Sequence, residues 1–219
     1  MGDHPQITIQ VHPTPPDGNF QAFTVRFFNH RRIRTTLTSN VDEVGRWVSM
    51  IWNRYSLLRN PLVVGFGVFR TQTFPPAPQG RAATIQICID GFCLIWQLRE
   101  VVPFGVPEIV QEFFLHPDVR LVGVDNGMHA PLLWEHHRIR ANPRDLRYLA
   151  VERLGDFRLA TESTMPVASA VFQFQVPETP FDVFFSNWEA PVLAPRQVLH
   201  AAVYAFVSYR VGMVLHAYD

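Results

Sequence analysis

Lysine is absent from this 219-residue sequence: all 19 basic side chains are arginine. At ordinary usage about a dozen lysines would be expected. Two readings stay open, GC-rich coding drift and selection against a modifiable ammonium, such as escape from ubiquitination. An excess of either charge is missing too, since 19 basic residues face 19 acidic ones. That excludes a global electrostatic grip on a polyanion, although a neutral chain can still carry a basic face. No run of about 18 apolar residues occurs, so no helical membrane span is expected. Residues 1–10 lack the apolar stretch of a signal peptide. Cysteine is scarce: Cys88 and Cys93 are the only two. They stand opposite each other across the Asp90-Gly91 turn of an apolar hairpin. A cross-strand disulfide is conceivable there, and two reduced core thiols are the expectation. Together these absences predict an intracellular protein, nuclear or cytoplasmic, with no membrane partner.

What the chain does have is apolar mass, with 47% hydrophobic residues, 18 Phe and 18 Pro. That suits one packed domain and is too little for two of ordinary size. Residues 1–19 are proline-rich, with little pattern beyond the run Ile7 to Val11, and are expected to form a flexible or loosely docked arm. One domain is expected over 20–219. Alternation at Phe23, Val25 and Phe27, then at Ile33, Thr35 and Leu37 after an Asn29-His30-Arg31 corner, predicts a hairpin. Ser39 or Asn40 can cap a helix over 41–58 whose apolar face holds Val44, Trp47, Val48 and Ile51, and Asn60-Pro61 closes it. Strands follow at 62–69, 83–89, 92–98 and 119–124, the first two separated by a proline-rich loop over 71–81. Helices are expected at 107–115, 128–138, 145–154, 165–174 and 195–216, with Pro131 tolerable only in a first turn. Three consecutive antiparallel strands, then helix, strand and further helices, make an α/β mixed sheet. There is no internal repeat.

The run Pro61-Leu62-Val63-Val64-Gly65-Phe66-Gly67-Val68-Phe69-Arg70 resembles the first motif, Gly-Phe-Asp-x-Glu-Trp, of the Werner-syndrome-like 3′–5′ exonucleases, a DEDD-type family. Thr84 to Cys88 and Cys93 to Leu98 resemble its next two strands. Val122-Gly123-Val124 with Leu132-Leu133 resembles the second motif, and the run Asp145 to Ala150 a stretch that follows it. Ser186-Asn187-Trp188-Glu189, Gln197-Val198 and Ala205-Phe206-Val207-Ser208 resemble the third motif region. The match spans about 60–215, and the hairpin and helix of 20–58 resemble an extension carried by plant members. The resemblance implies an RNase H-like exonuclease fold: a mixed five-stranded sheet flanked by helices, with an N-terminal hairpin-helix extension.

The family's chemistry uses two Mg²⁺ or Mn²⁺ ions clamping the attacking and leaving oxygens. Such hard cations need anionic oxygens, supplied in the family by four carboxylates with a tyrosine nearby. Carried over by position, the carboxylates fall on Gly67, Phe69, His129 and Tyr204, and the tyrosine on His200. No carboxylate survives, so neither metal-ion cofactor nor strand cleavage is expected. A repurposed site of Asp125, His129 and His200 for a softer ion is the alternative. His136-His137 reads as a dipole-stabilising pair at a helix C-terminus, and Asp145 as a cap.

Arginines cluster at Arg31, Arg32 and Arg34 and again at Arg138, Arg140, Arg144 and Arg147; solvated faces are the default reading. Arg138, Arg140 and Arg144, with Trp188, are the candidate nucleic-acid-binding residues, although Trp188 is expected first to pack the final helix onto the sheet. The expected function is a catalytically inactive exonuclease-like domain serving protein interaction or assembly, with a protein partner or a second copy. The alternative is a nucleic-acid binder with vestigial or His-based activity.

Overall fold

The computed structural model describes residues 7–28, 31–55, 61–71 and 80–218, apart from the side chains at 102, 103 and 126. The Asn29-His30 corner, Asn60, and most of the proline-rich 71–81 loop lie outside these. In chain order the elements are β1 Thr8–Val11, β2 Gln21–Phe27, β3 Arg31–Thr38, α1 Val41–Tyr55, β4 Leu62–Arg70, β5 Ala82–Ile89 and β6 Phe92–Gln97. There follow α2 Val101–Phe104, α3 Glu108–Leu115, β7 Val119–Gly123, α4 Asn126–His137, β8 Arg144–Asp145, α5 Leu146–Leu154, α6 Thr164–Phe172, α7 Phe181–Phe184 and α8 Pro195–Val214. Short 3-10 turns occupy Leu98–Glu100 and Phe157–Thr161.

Among the described residues the strands form one mixed sheet in the order β1-β2-β3-β6-β5-β4-β7-β8. It has eight strands where five were expected. The five central ones are β6, β5, β4, β7 and the two-residue β8; the N-terminal hairpin does not sit apart from them. Strand β3 pairs in parallel with β6, Arg34 opposite Phe92 through Thr38 opposite Trp96. Part of the expected arm is docked as well, because Thr8 to Val11 pair with Arg26 to Phe23. Backbone groups of β2 and β6 would otherwise be open edges, and pairing satisfies them.

Alternation along the strands sends side chains to two cores, one on each face. Val64, Phe66, Ile85, Ile87, Leu94 and Trp96 meet α1, α3 and Leu133. Val63, Phe69, Cys88, Cys93, Ile95 and Val122 meet the long helix α8, together with Phe23, Val25, Ile33 and Leu37 of the hairpin. Strand β4 is therefore buried on both sides, which explains its unbroken apolar run. Cys88 and Cys93 face each other across the turn and are free thiols. Among the described residues no helix is long and apolar enough to cross a membrane.

Local signals explain most boundaries. Asn40 is the cap of α1, its Oδ1 accepting from Glu43 N at 2.9 Å, while Ser39 Oγ donates to Glu100 at 2.6 Å. Asp145 caps α5 by accepting from Arg147 N at 2.9 Å. Helix α4 begins two residues before the expected start, so Pro131 lies in its second turn. The exposed Gly127 carries the carbonyl that Pro131 cannot bond.

Helix α8 presses on β4 backbone to backbone. A Cβ placed on Gly65 would lie 2.0 Å from the Ala205 carbonyl oxygen and 2.5 Å from Tyr209 N. At Gly212 an added Cβ would meet Val122 at 2.7 Å. Neither backbone can retreat without opening the core, so Gly65→Ala should cost at least about 3 kcal/mol. Gly127→Ala has nothing within 4 Å and should be neutral or stabilising by up to about 1 kcal/mol. Chemical denaturation of the two variants checks this; equal midpoints would contradict the close approach.

Candidate functional site

Three of the four positions that the resemblance assigns to metal-binding carboxylates, Gly67, Phe69 and Tyr204, meet where β4 passes under α8. Gly67 lies beneath Tyr204, and a Cβ on Gly67 would be 2.6 Å from Tyr204 Cε1. Two residues on, Phe69 stacks on Trp188 with ring centroids 3.9 Å apart and planes 4° from parallel. Tyr204 and Phe184 tilt against the same Phe69 ring at 5.7 Å and 6.1 Å. Trp188 is fully buried, and its indole N–H donates to the Phe184 carbonyl at 3.1 Å. Its segment is tied to the start of α8 by Gln197, which donates to Ser186 Oγ at 2.8 Å and to the Asn187 carbonyl at 3.1 Å. Four rings thus occupy this part of the cleft. Beside them remains a pocket of ≈ 350 Å³ walled by Phe181, Phe184, Phe185, Met165 and Tyr204, with Glu178 at its side.

The electrostatics are equally closed. Burial pushes the Tyr204 hydroxyl up to about 12, so it stays a neutral phenol. Burial, with Arg70 nearby, holds His129 down at about 4, leaving a neutral imidazole whose Nδ1 has no partner. Gln86, opposite Gly67 on β5, is buried with its Oε1 unpartnered. Two nearby carboxylates, Asp125 and Asp145, are both held by Arg147. Its Nη1 is 3.0 Å from Asp125 Oδ1; its Nη2 and Nε donate to the two oxygens of Asp145 at 2.7 Å and 3.0 Å. This pairing is bidentate on one side and bridged on the other, a geometry suited to guanidinium and not to ammonium.

Asp125, His129 and His200 do not converge. Among the described residues no group of three or more His, Cys, Asp or Glu lies close enough to hold a metal ion. His200, one turn before Tyr204, is lowered by its own burial and by Arg196, which pairs with Asp182 at 2.5 Å. The neutral side chains at 67, 69, 129 and 204 likewise do not fit a pair of hard divalent cations. Trp188 is fully buried against Phe69, which suits the packing role and leaves no face for a base. The arginine set also separates. Arg138 and Arg140 both lie over the Trp134 ring, whereas Arg144 reaches the Ala217 carbonyl at 3.4 Å and lies outside the groove that the other two line. His137 is buried with Nε2 2.8 Å from the Ala82 carbonyl oxygen, a specific contact beyond the dipole effect. Arg147 belongs to the arginine cluster whose default reading is a solvated face, and Trp134 has the spacing of an ordinary helical residue; neither signal points to a site.

No protein-family model matches the chain, and no curated protein sequence does. Solved structures do. The chain is similar to the catalytic core of RRP6 from Trypanosoma brucei, with TM-score 0.60 and 15% identity over 84% of this chain and 47% of that one. It is also similar to RNase D of Trypanosoma brucei, solved with GMP, at TM-score 0.65 and 12% identity over 83% of this chain and 56% of that one. The fold is that of the RNase H-like 3′–5′ exonucleases. The chain spans about half the length of these two exonuclease chains.

Burial of neutral His129 has a pH signature. An unfolded histidine titrates near about 6.5, while the folded one waits until about 4. The unfolded chain therefore takes up this proton first on acidification. Stability from the group is full above about pH 6.5 and is lost as pH falls toward 4, by at most about 3 kcal/mol. His129→Gln should flatten that fall in urea denaturation between pH 7 and pH 4. Parallel pH curves for both proteins would contradict a buried neutral imidazole.

Proposed function

We propose that this domain keeps the exonuclease fold without hydrolysing nucleic acid, and serves as a protein-interaction or assembly module. It is a degenerate relative of the Werner-syndrome-like exonucleases, its N-terminal hairpin built into the sheet. The observation that carries the reading is the ring cluster: Phe69 stacked on Trp188 at 3.9 Å, with Tyr204 over Gly67. Two-metal phosphoryl chemistry needs anionic oxygens arranged around two cations about 4 Å apart. Neutral His129, a phenol raised to about 12 and an aromatic ring supply none. Asp125 and Asp145 are both engaged by the single Arg147 guanidinium, which offsets one of their two charges. The assembly role draws support from large apolar side chains left in solvent. Phe181 is 76% exposed and Phe157 81% exposed, and the Phe181 ring lies 4.2 Å from Phe185. Contiguous exposed apolar surface marks contact sites, and the adjoining Phe181 and Phe185 rings offer its beginning, whereas a lone exposed ring such as Phe157 does not.

Hydrolysis gives the test. Purified protein should release nothing from the 3′ end of a labelled single strand with Mg²⁺ or Mn²⁺. Gly67→Asp alone should add no activity and should destabilise, because its Cβ would strike the Tyr204 ring. Adding Tyr204→Asp, Phe69→Glu and His129→Asp removes that clash, but it dismantles the Phe69–Trp188 stack. Trimming by the wild-type chain that disappears on His129→Ala or His200→Ala would overturn the reading.

A further inference from the structure

A second concave surface lies at the far end of α4, away from the ring cluster. It is an open groove of ≈ 700 Å³ lined by Trp134, Arg138, Arg140, Gln111, Glu108 and Glu135, among others. Trp134 is 42% exposed. The Arg138 guanidinium carbon stands 5.3 Å from its ring centroid and that of Arg140 stands 4.9 Å away. A surface guanidinium normally finds a carboxylate or water; here one exposed indole holds two. Neither arginine has a carboxylate partner among the described residues.

Both arginines rise from fixed backbone. Arg138 has the left-handed conformation that ends α4, φ 58°, and its N–H returns to the Trp134 carbonyl at 3.1 Å. Arg140 is clamped by the amide of Gln111 on α3, which donates to the Arg140 carbonyl at 2.6 Å and accepts from its N–H at 2.9 Å. Stacking on the indole further limits the guanidinium rotamers, so little side-chain entropy remains to be lost when an anion binds. The result is a pair of planar forks beside an apolar shelf. That shelf continues to Val106 and Gly105, next to Phe104, which is 71% exposed.

We infer that this groove binds an acidic segment of a protein partner, with isolated Asp or Glu carboxylates on the two guanidinium groups and an adjacent apolar side chain on Trp134. The local charge of the two guanidinium groups selects the occupant at their own positions, since Glu108 and Glu135 leave the groove as a whole without net formal charge. Guanidinium forks match carboxylates bidentately, and arginine and tryptophan are the residue types that dominate interface energetics. A nucleic-acid strand fits less well: Glu108 and Glu135 line the same groove and would oppose a regular row of phosphates. A peptide can place its carboxylates at the arginines and neutral residues beside the two glutamates.

The assignment rests on the assembly reading above, and the experiment separates the two. A display library of short random peptides is panned on the full chain, and on an Arg138→Ala/Arg140→Ala variant whose circular dichroism matches wild type. Peptides selected on wild type should be enriched in Asp and Glu next to aromatic or aliphatic residues. Their affinity should fall as salt rises, and should be at least about tenfold weaker for the double variant. Arg138→Lys/Arg140→Lys keeps the charge but not the fork and should recover only part of that loss. Peptides without acidic enrichment, equal binding by the alanine variant, or preferential binding of an oligouridine strand at these arginines would overturn the inference. Strand trimming by the same preparation would instead sink the non-hydrolytic reading and leave the groove assignment standing.

Discussion

Helix α8 and strand β4 touch through their backbones at Gly65, where no side chain of any size fits between the Ala205 carbonyl and the strand. Everything on that face of the sheet takes its spacing from this contact. One pleat further along, the same closeness leaves room over Gly67 for a flat ring and nothing else, and Tyr204 lies there. At Phe69 the gap has widened enough for two rings in parallel, Phe69 and Trp188. Phe69, Trp188, Tyr204 and Phe184 thereby pack against one another on this face, beside a pocket of ≈ 350 Å³.

Energetics favour that exchange. Several carboxylates close together repel one another and lose hydration unless cations compensate them, whereas rings of similar volume pack without that penalty. The carboxylates kept nearby, Asp125 and Asp145, meet a cation the chain provides itself, the Arg147 guanidinium. Asp145 also caps α5 through Arg147 N. One residue pair therefore closes a helix end and offsets one of the two carboxylate charges. His129, buried and held neutral, adds no charge to be balanced.

Much of this was legible in the residues. The core strands and helices α1, α3, α4, α5, α6 and α8 could be read from alternation and caps, as could the capping role of Asp145. Other features depend on pairing across long sequence distances. Residues 8–11 look like linker until they meet β2, and the hairpin looks independent until β3 aligns with β6. Short elements such as α7 and β8 carry too few residues for a period. A packing role for Trp188 could be read from its place before the last helix, but its stacking partner Phe69, far away in sequence, could not. Arg138, Arg140 and Arg144 are close in sequence, yet the turn after α4 sends the third to another surface. Trp134, which organises the first two, has the spacing of an ordinary helical residue.

The most direct measurement is equilibrium binding of Mn²⁺ to the purified chain, followed by the paramagnetic resonance of the free ion. A cleft filled by Phe69, Trp188 and Tyr204, with its neighbouring carboxylates held by Arg147, predicts that the free-ion signal tracks total Mn²⁺ with no saturable uptake. Saturable binding of two ions per chain, abolished by changing Asp125 or Asp145 to Asn, would contradict the account.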